Sequence, residues 1–145
     1  MPRTYSKIIL HCVYSTKNRL SCIREPERAW RITREIARNI KIDILAIGGT
    51  SDHIHLLLAL PPNRALADVI RDLKANSSLI LRQADRSFRW QDGYGVISVS
   101  PSAVPAAIRY IEHQAEHHAT KKFEVEYIEM LERAGIKYEL EYVLD

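Results

Sequence analysis

Cysteine is nearly absent from this chain: Cys12 and Cys22 are the only two, and they do not form a C-x-x-C pair. Neither a disulfide framework nor a cysteine zinc site is suggested, and both read as free thiols. Long apolar runs are missing too. None approaches the ~20 residues of a membrane span. The opening Met-Pro-Arg-Thr-Tyr-Ser-Lys lacks the hydrophobic segment of a secretory signal, so a cytoplasmic protein with no membrane partner is expected. Repeats and low-complexity tracts do not occur. The common catalytic signatures are also absent: no G-x-S-x-G elbow, Walker loop, H-E-x-x-H helix or G-x-G-x-x-G turn. Serine hydrolase, nucleotide hydrolase, zinc peptidase and dinucleotide oxidoreductase thereby lose their usual support.

What is present fits one globular domain over 1–145: 46% hydrophobic and 27% charged residues, with a net charge of +3 compatible with a polyanionic partner. The informative stretch is Ser51 to Leu60. As a strand it turns His53 and His55 to one face and Ile54, Leu56, Leu58 and Leu60 to the other, so one face packs a core while the other offers two imidazoles. Two neutral imidazoles on a rigid strand make half of a metal site, or a hydrogen-bonded pair on a wet sheet face.

Around that stretch, residues 5–14 read as a strand buried on both faces, followed by a polar, basic loop from Ser15 to Arg19 that contains Lys17. Glu25 and Pro26 open a helix to about Lys41, whose arginine-rich outer face reads as solvated. Residues 42–47 form a strand, and Gly48 to Ser51 turn the chain back as a hairpin. A long helix from about Asn63 to Asp85 follows. Beside its core stripe, Arg71, Lys74, Ser78 and Arg82 recur on one face, either as a phosphate-tracking ridge or as ordinary surface charge. Residues 88–90 and 94–99 read as strand segments, 101–118 as a helix, and 123–145 as a further helix plus a terminal strand or arm. The order is β-α-β-β-α-β, the ferredoxin-like antiparallel arrangement with appended C-terminal helices.

Tyrosine is the remaining nucleophile. Tyr110 lies mid-helix with Gln114 one turn on, so a carboxamide can sit beside the phenol; His117 and Lys121 continue that face. A metal held by His53, His55 and Gln114 would have Tyr110 within a few ångströms; the alternative is a core-edge tyrosine with the glutamine in solvent.

Taken together, the opening strand ending in Ser15 to Arg19, the His53-Ile-His55 motif, Arg71-Asp-Leu-Lys74, Trp90-Gln-Asp-Gly-Tyr-Gly95 and Tyr110-Ile-Glu-His-Gln114 followed by His117-His118 resemble the HUH endonucleases with a single tyrosine. Within them the chain is most similar to the small TnpA-like transposases of bacterial insertion sequences. One departure is His113, which stands where the family has asparagine and could add a competing ligand. The resemblance implies a site-specific single-stranded DNA endonuclease and strand-transferase. In it Tyr110 attacks a phosphodiester, releases a 3′-hydroxyl and forms a 5′-phosphotyrosine, with His53, His55 and Gln114 holding a divalent ion. It also implies Mg2+ or Mn2+, whereas imidazole ligands alone would favour zinc or another transition metal, and no nucleotide cofactor, since the covalent ester keeps the energy of the broken bond. The partner implied is single-stranded DNA bearing a hairpin at the ends of an insertion sequence, with Lys17, Arg19, Arg71, Lys74, Ser78, Arg82 and Lys121 as candidate contacts. A homodimer is expected, the histidines of one chain meeting the tyrosine helix of the other. Two alternatives stay open: a non-catalytic ferredoxin-like nucleic-acid-binding module, and an HUH replication or conjugation nickase, which would usually carry further domains.

Overall fold

In the computed structural model, residues 3–118 and 121–143 are described. The side chains of His117 and His118, and the end of the tail at Leu144, lie outside them. Four antiparallel strands form one sheet in the order β2-β3-β1-β4, where β1 is Ile9–Ser15, β2 Asp43–Gly49, β3 His53–Ala59 and β4 Gly95–Val99. Helices α1 (Pro26–Asn39) and α2 (Leu66–Leu81) lie in the two crossovers, so the chain has the expected β-α-β-β-α-β order. Three helices follow: α3 (Val104–Glu112), α4 (Gln114–His118) and α5 (Phe123–Arg133). No helix among the described residues is long and apolar enough to cross a membrane.

Alternation along the central strands sorts the molecule into two cores. Cys12, Tyr14, Ile54, Leu56 and Leu58 face α1 and α2, packing on Ile36, Ala37, Val69, Ile70 and Leu73. Pro26 starts α1 where a missing N–H costs nothing, and Ala29, Thr33, Ile36 and Ala37 form its buried stripe. Trp90 closes the end of this core. Its ring meets Tyr14 and Phe88 edge-on, and its indole N–H donates to Ser77 Oγ at 2.9 Å. The opposite face carries Ile9, Ala46 and Leu57 against Ile111 of α3, and Val13 against Phe123, Tyr127 and Leu131 of α5. β3 is therefore covered on both sides, and its two histidines are fully buried.

Several boundaries differ from expectation for local reasons. β1 begins at Ile9, because residues before it run past the last partner on β3, Ala59. Residues 88–90 are not a strand: Trp90 makes one isolated bridge to Thr16, and the segment is devoted to packing its aromatic rings. The long helix expected over 101–118 opens as a 3-10 turn and breaks at His113 (φ −110°, ψ 32°). There the imidazole Nδ1 bonds the Arg109 carbonyl at 2.6 Å, an acceptor that a continuous helix would give to a backbone N–H. α5 ends at Arg133, and Gly135, just past the cap at Ala134, takes φ +70°. The tail beyond it forms no strand through residue 143 and folds back on α5 through Tyr138 and Val143.

Candidate metal centre and nucleic-acid interface

The register of β1 and β3 stacks Ser15 on His53, Val13 on His55 and His11 on Leu57, so three imidazoles share one face of the sheet. His11 Nε2 lies 2.8 Å from His55 Nδ1, their rings 5.0 Å apart. On the neighbouring turn, Asp52 Oδ1 and Thr50 Oγ1 stand 2.8 and 3.1 Å from His53 Nδ1. Both β3 histidines thus have Nδ1 engaged behind them and Nε2 turned towards the helices, the orientation that hydrogen-bonding partners of the far ring nitrogen impose on metal-binding imidazoles.

Two helix residues meet those nitrogens. Gln114 Oε1 is 3.1 Å from His53 Nε2, and Glu126 Oε1 is 2.9 Å from His55 Nε2. Among the described residues His53, His55 and Glu126 form a cluster whose ligand atoms lie within 4.8 Å of one another, positioned to chelate a divalent metal ion. The donor set fits such an ion. Burial lowers His55 to about 3 against the pull of Glu126, so its imidazole is neutral at ordinary pH and can coordinate through Nε2, and burial likewise lowers His11, which lies behind it, to about 4. A carboxylate and a carboxamide oxygen beside two imidazoles also bring the hard ligands that histidines alone do not supply.

Tyr110 stands at the mouth of this cluster, its ring 5.8 Å from that of His55 and 6.1 Å from that of His11. Burial and the neighbouring Glu126 carboxylate hold its phenol above the usual tyrosine range, while Gln114 acts in the other direction. The helix can come this close because of Gly48. A Cβ there would lie 1.9 Å from the Ile111 carbonyl oxygen, so only glycine lets α3 seat directly on β2. Phe123 completes the enclosure, stacked on the His53 ring at 4.2 Å.

Tyr110, Gln114, His53 and His55 therefore lie together in the folded chain. α3 rests on this chain's own β2 and β3. Sequence reasoning missed Glu126, His11, Asp52 and Phe123. Asp52 borders the His-x-His motif and could have been suspected; Glu126 carries no local signal, being one of several acidic residues on an amphipathic helix.

Five of the seven candidate DNA contacts gather elsewhere. Lys17, Arg71, Lys74, Ser78 and Arg82, joined by Arg89, line one groove of about 580 Å³ between α2 and the segment ending at Tyr94. They are not equally available. Lys74 donates to the carbonyls of Gln91, Asp92 and Gly93, and burial lowers it to about 8. Arg82 braces the Phe88 carbonyl, Ser78 bonds the Ala75 carbonyl, Arg71 pairs with Asp68 and Asp72, and Lys17 pairs with Asp92. Arg19 and Lys121 stand apart from the groove, paired with Glu124 and Glu129.

Residues 4–114 match the family model described as "Transposase IS200 like". The chain belongs to the IS200-like transposase family. It is 32% identical over 117 residues to the transposase for insertion sequence element IS200 of Salmonella typhimurium, covering 73% of this chain and 76% of that protein. It is 28% identical over 91 residues to the ISDra2 transposase TnpA of Deinococcus radiodurans, covering 57% and 65%. A solved structure from D. radiodurans, assigned as a transposase, superposes with a TM-score of 0.61 at 26% identity over 79% of this chain and 96% of that one. A REP-associated tyrosine transposase bound to a REP hairpin has the same fold, with a TM-score of 0.62 at 16% identity over 97% and 88%. As an IS200-like transposase the chain is an enzyme of the HUH type, and the matched residues stop at Gln114: α5, with Glu126, lies beyond them.

Proposed function

We propose that this chain cuts and rejoins single-stranded DNA at the ends of an insertion sequence through a covalent 5′-phosphotyrosine on Tyr110. The observation that carries the reading is the Tyr110 ring, 5.8 Å from that of His55, at the edge of the cluster where Gln114 meets His53 and Glu126 meets His55. Tyr110 Oη attacks phosphorus in line with the leaving 3′-oxygen, which departs as a hydroxyl; the ester keeps the energy of the broken bond, so rejoining needs no nucleotide. His53, His55, Glu126 and Gln114 would hold Mg2+ or Mn2+. When bound, the ion supplies Lewis-acid stabilisation of charge on the scissile phosphate and favours the phenolate that burial and Glu126 otherwise disfavour. Gln114 and Glu126 orient the phenol, and Phe123 keeps water from the His53 side.

The groove between α2 and residues 85–94 is the proposed phosphate-tracking surface, with Arg71 and Arg89 as its cationic rim. A hairpin is the proposed ligand, since the REP-associated neighbour of the same fold is bound to one. The cis geometry supports a complete site in every subunit, and any homodimer of this chain is proposed to hold two such sites.

The test is incubation of the metal-loaded protein with single-stranded oligonucleotides from the ends of its own element, followed by a denaturing gel. A covalent adduct is expected from the wild-type chain and none from Tyr110→Phe, which should bind the same oligonucleotide nearly as well. An adduct of normal yield in that variant, or after rigorous metal removal, would sink the assignment.

A further inference from the structure

A second groove, of about 550 Å³, runs along the outer side of the edge strand β4, floored by Gly95 and Val96 and covered by α5 and the tail. Four of the chain's seven tyrosines, Tyr94, Tyr127, Tyr138 and Tyr142, line it. One such ring is ordinary packing; four around one groove are not needed to bury an edge strand, and Tyr142 is 59% exposed. Two features tie the groove to the rest of the molecule. It shares Gln91 and Tyr94 with the basic groove, and the Lys74 ammonium lies 5.6 Å from the Tyr94 ring at that junction. On its other side the Tyr127 ring stacks nearly parallel on Phe123 at 5.6 Å, and Phe123 stacks on His53. A column of rings therefore leads from the metal cluster into the tyrosine groove, and the groove opens into the cationic one.

Aromatic faces adjoining a positively charged track are how proteins hold unpaired nucleotides, because every base has a face to stack while the backbone follows the charge. We infer that the tyrosine groove is a stacking site for unpaired bases of the DNA strand that leaves the catalytic cluster, with Tyr138 and Tyr142 as platforms and the basic groove receiving the continuing phosphates. This rests on the single-stranded DNA reading above. It assigns a role to α5 and the tail, which lie beyond the residues matched by the family model.

The experiment measures binding, without cleavage, in a Tyr110→Phe background with chelator, using fluorescently labelled oligothymidylate and, in parallel, the same DNA carrying 5-iodouracil for photocrosslinking. Tyr142→Ala and Tyr138→Leu should each weaken binding about 5- to 150-fold, the range set by losing one stacked base. Tyr142→Phe should bind like its parent, because the ring and not the hydroxyl is used. Crosslinks should map to peptides containing Tyr138 or Tyr142. Unchanged affinity in Tyr142→Ala, or crosslinks confined to peptides outside α5 and the tail, would overturn the inference. Since Tyr142 is largely exposed, its truncation leaves the fold intact, checked by an unchanged melting temperature. The adduct assay above fails or succeeds independently of this result.

Discussion

Gly48→Ala is the sharpest probe of how the fold positions Tyr110, the proposed nucleophile. The added Cβ would sit 1.9 Å from the Ile111 carbonyl oxygen, about 1.1 Å inside the 3.0 Å that real Cβ contacts respect. The atom it meets is backbone, so no side-chain rotation relieves the clash. α3 must lift from β2 by about 1 Å, and Tyr110 and Gln114, on either side of Ile111, lift with it. Overpacking of this kind costs about 1–3 kcal/mol of stability, which a thermal melt would register. The chemical effect should be larger. A displacement of about 1 Å in a reacting group can cost on the order of 10²-fold in rate. We expect the single-turnover rate of adduct formation to fall about 100-fold while affinity for the same oligonucleotide changes less than about threefold, because the basic groove lies on the other side of the sheet. An adduct rate within about twofold of wild type in folded Gly48→Ala would refute the claim that this contact sets the tyrosine's position.

Other expectations follow from the same geometry. Asp52→Asn removes the carboxylate behind His53 and should lower metal affinity about 10- to 100-fold, measured by metal titration with melting temperature as a control; unchanged affinity would exclude Asp52 as an orienting partner. His11 titrates near 6.5 when unfolded and about 4 when folded, so its contribution to stability is complete above pH 6.5 and is lost as pH falls towards 4. This is a loss of roughly 3 kcal/mol that should appear as acid destabilisation of the metal-free protein and shrink in His11→Gln. Arg89→Ala should weaken single-strand binding at low salt and reduce the slope of log affinity against log salt by about 1. A heterodimer of His53→Ala with Tyr110→Phe chains should stay inactive, since neither chain holds a complete site; cleavage by a verified heterodimer would show exchange of the tyrosine helix.

Much of the architecture was legible because it is periodic. The alternation of His53, His55 and Leu57 against Ile54, Leu56 and Leu58 assigned the two faces of β3, and the stripe of Val69, Ile70, Leu73, Ser77 and Leu81 did the same for α2. The one-turn spacing of Tyr110 and Gln114 foretold their proximity, and it survives the helix break at His113 because Gln114 Nε2 still reaches the Tyr110 carbonyl at 3.2 Å. The aromatic segment at residues 88–90 misled because β-forming rings and core-packing rings look alike without their neighbours.

Period and spacing are properties of neighbouring residues, so the sequence by itself determined the order of elements, the paired histidines, the tyrosine one turn from a glutamine and the cationic stripe of α2. Only the tertiary structure decided what those pieces meet. Glu126 enters the metal cluster because α5 lies across Val13 and His55, a contact between residues 71 positions apart that no local pattern encodes. The groove cations are tied down by carbonyls and carboxylates that the chain brings in from other elements. The helix of Tyr110 seats on β2 because one glycine there leaves room for a backbone carbonyl, and whether two surfaces fit that closely is decided by three-dimensional packing.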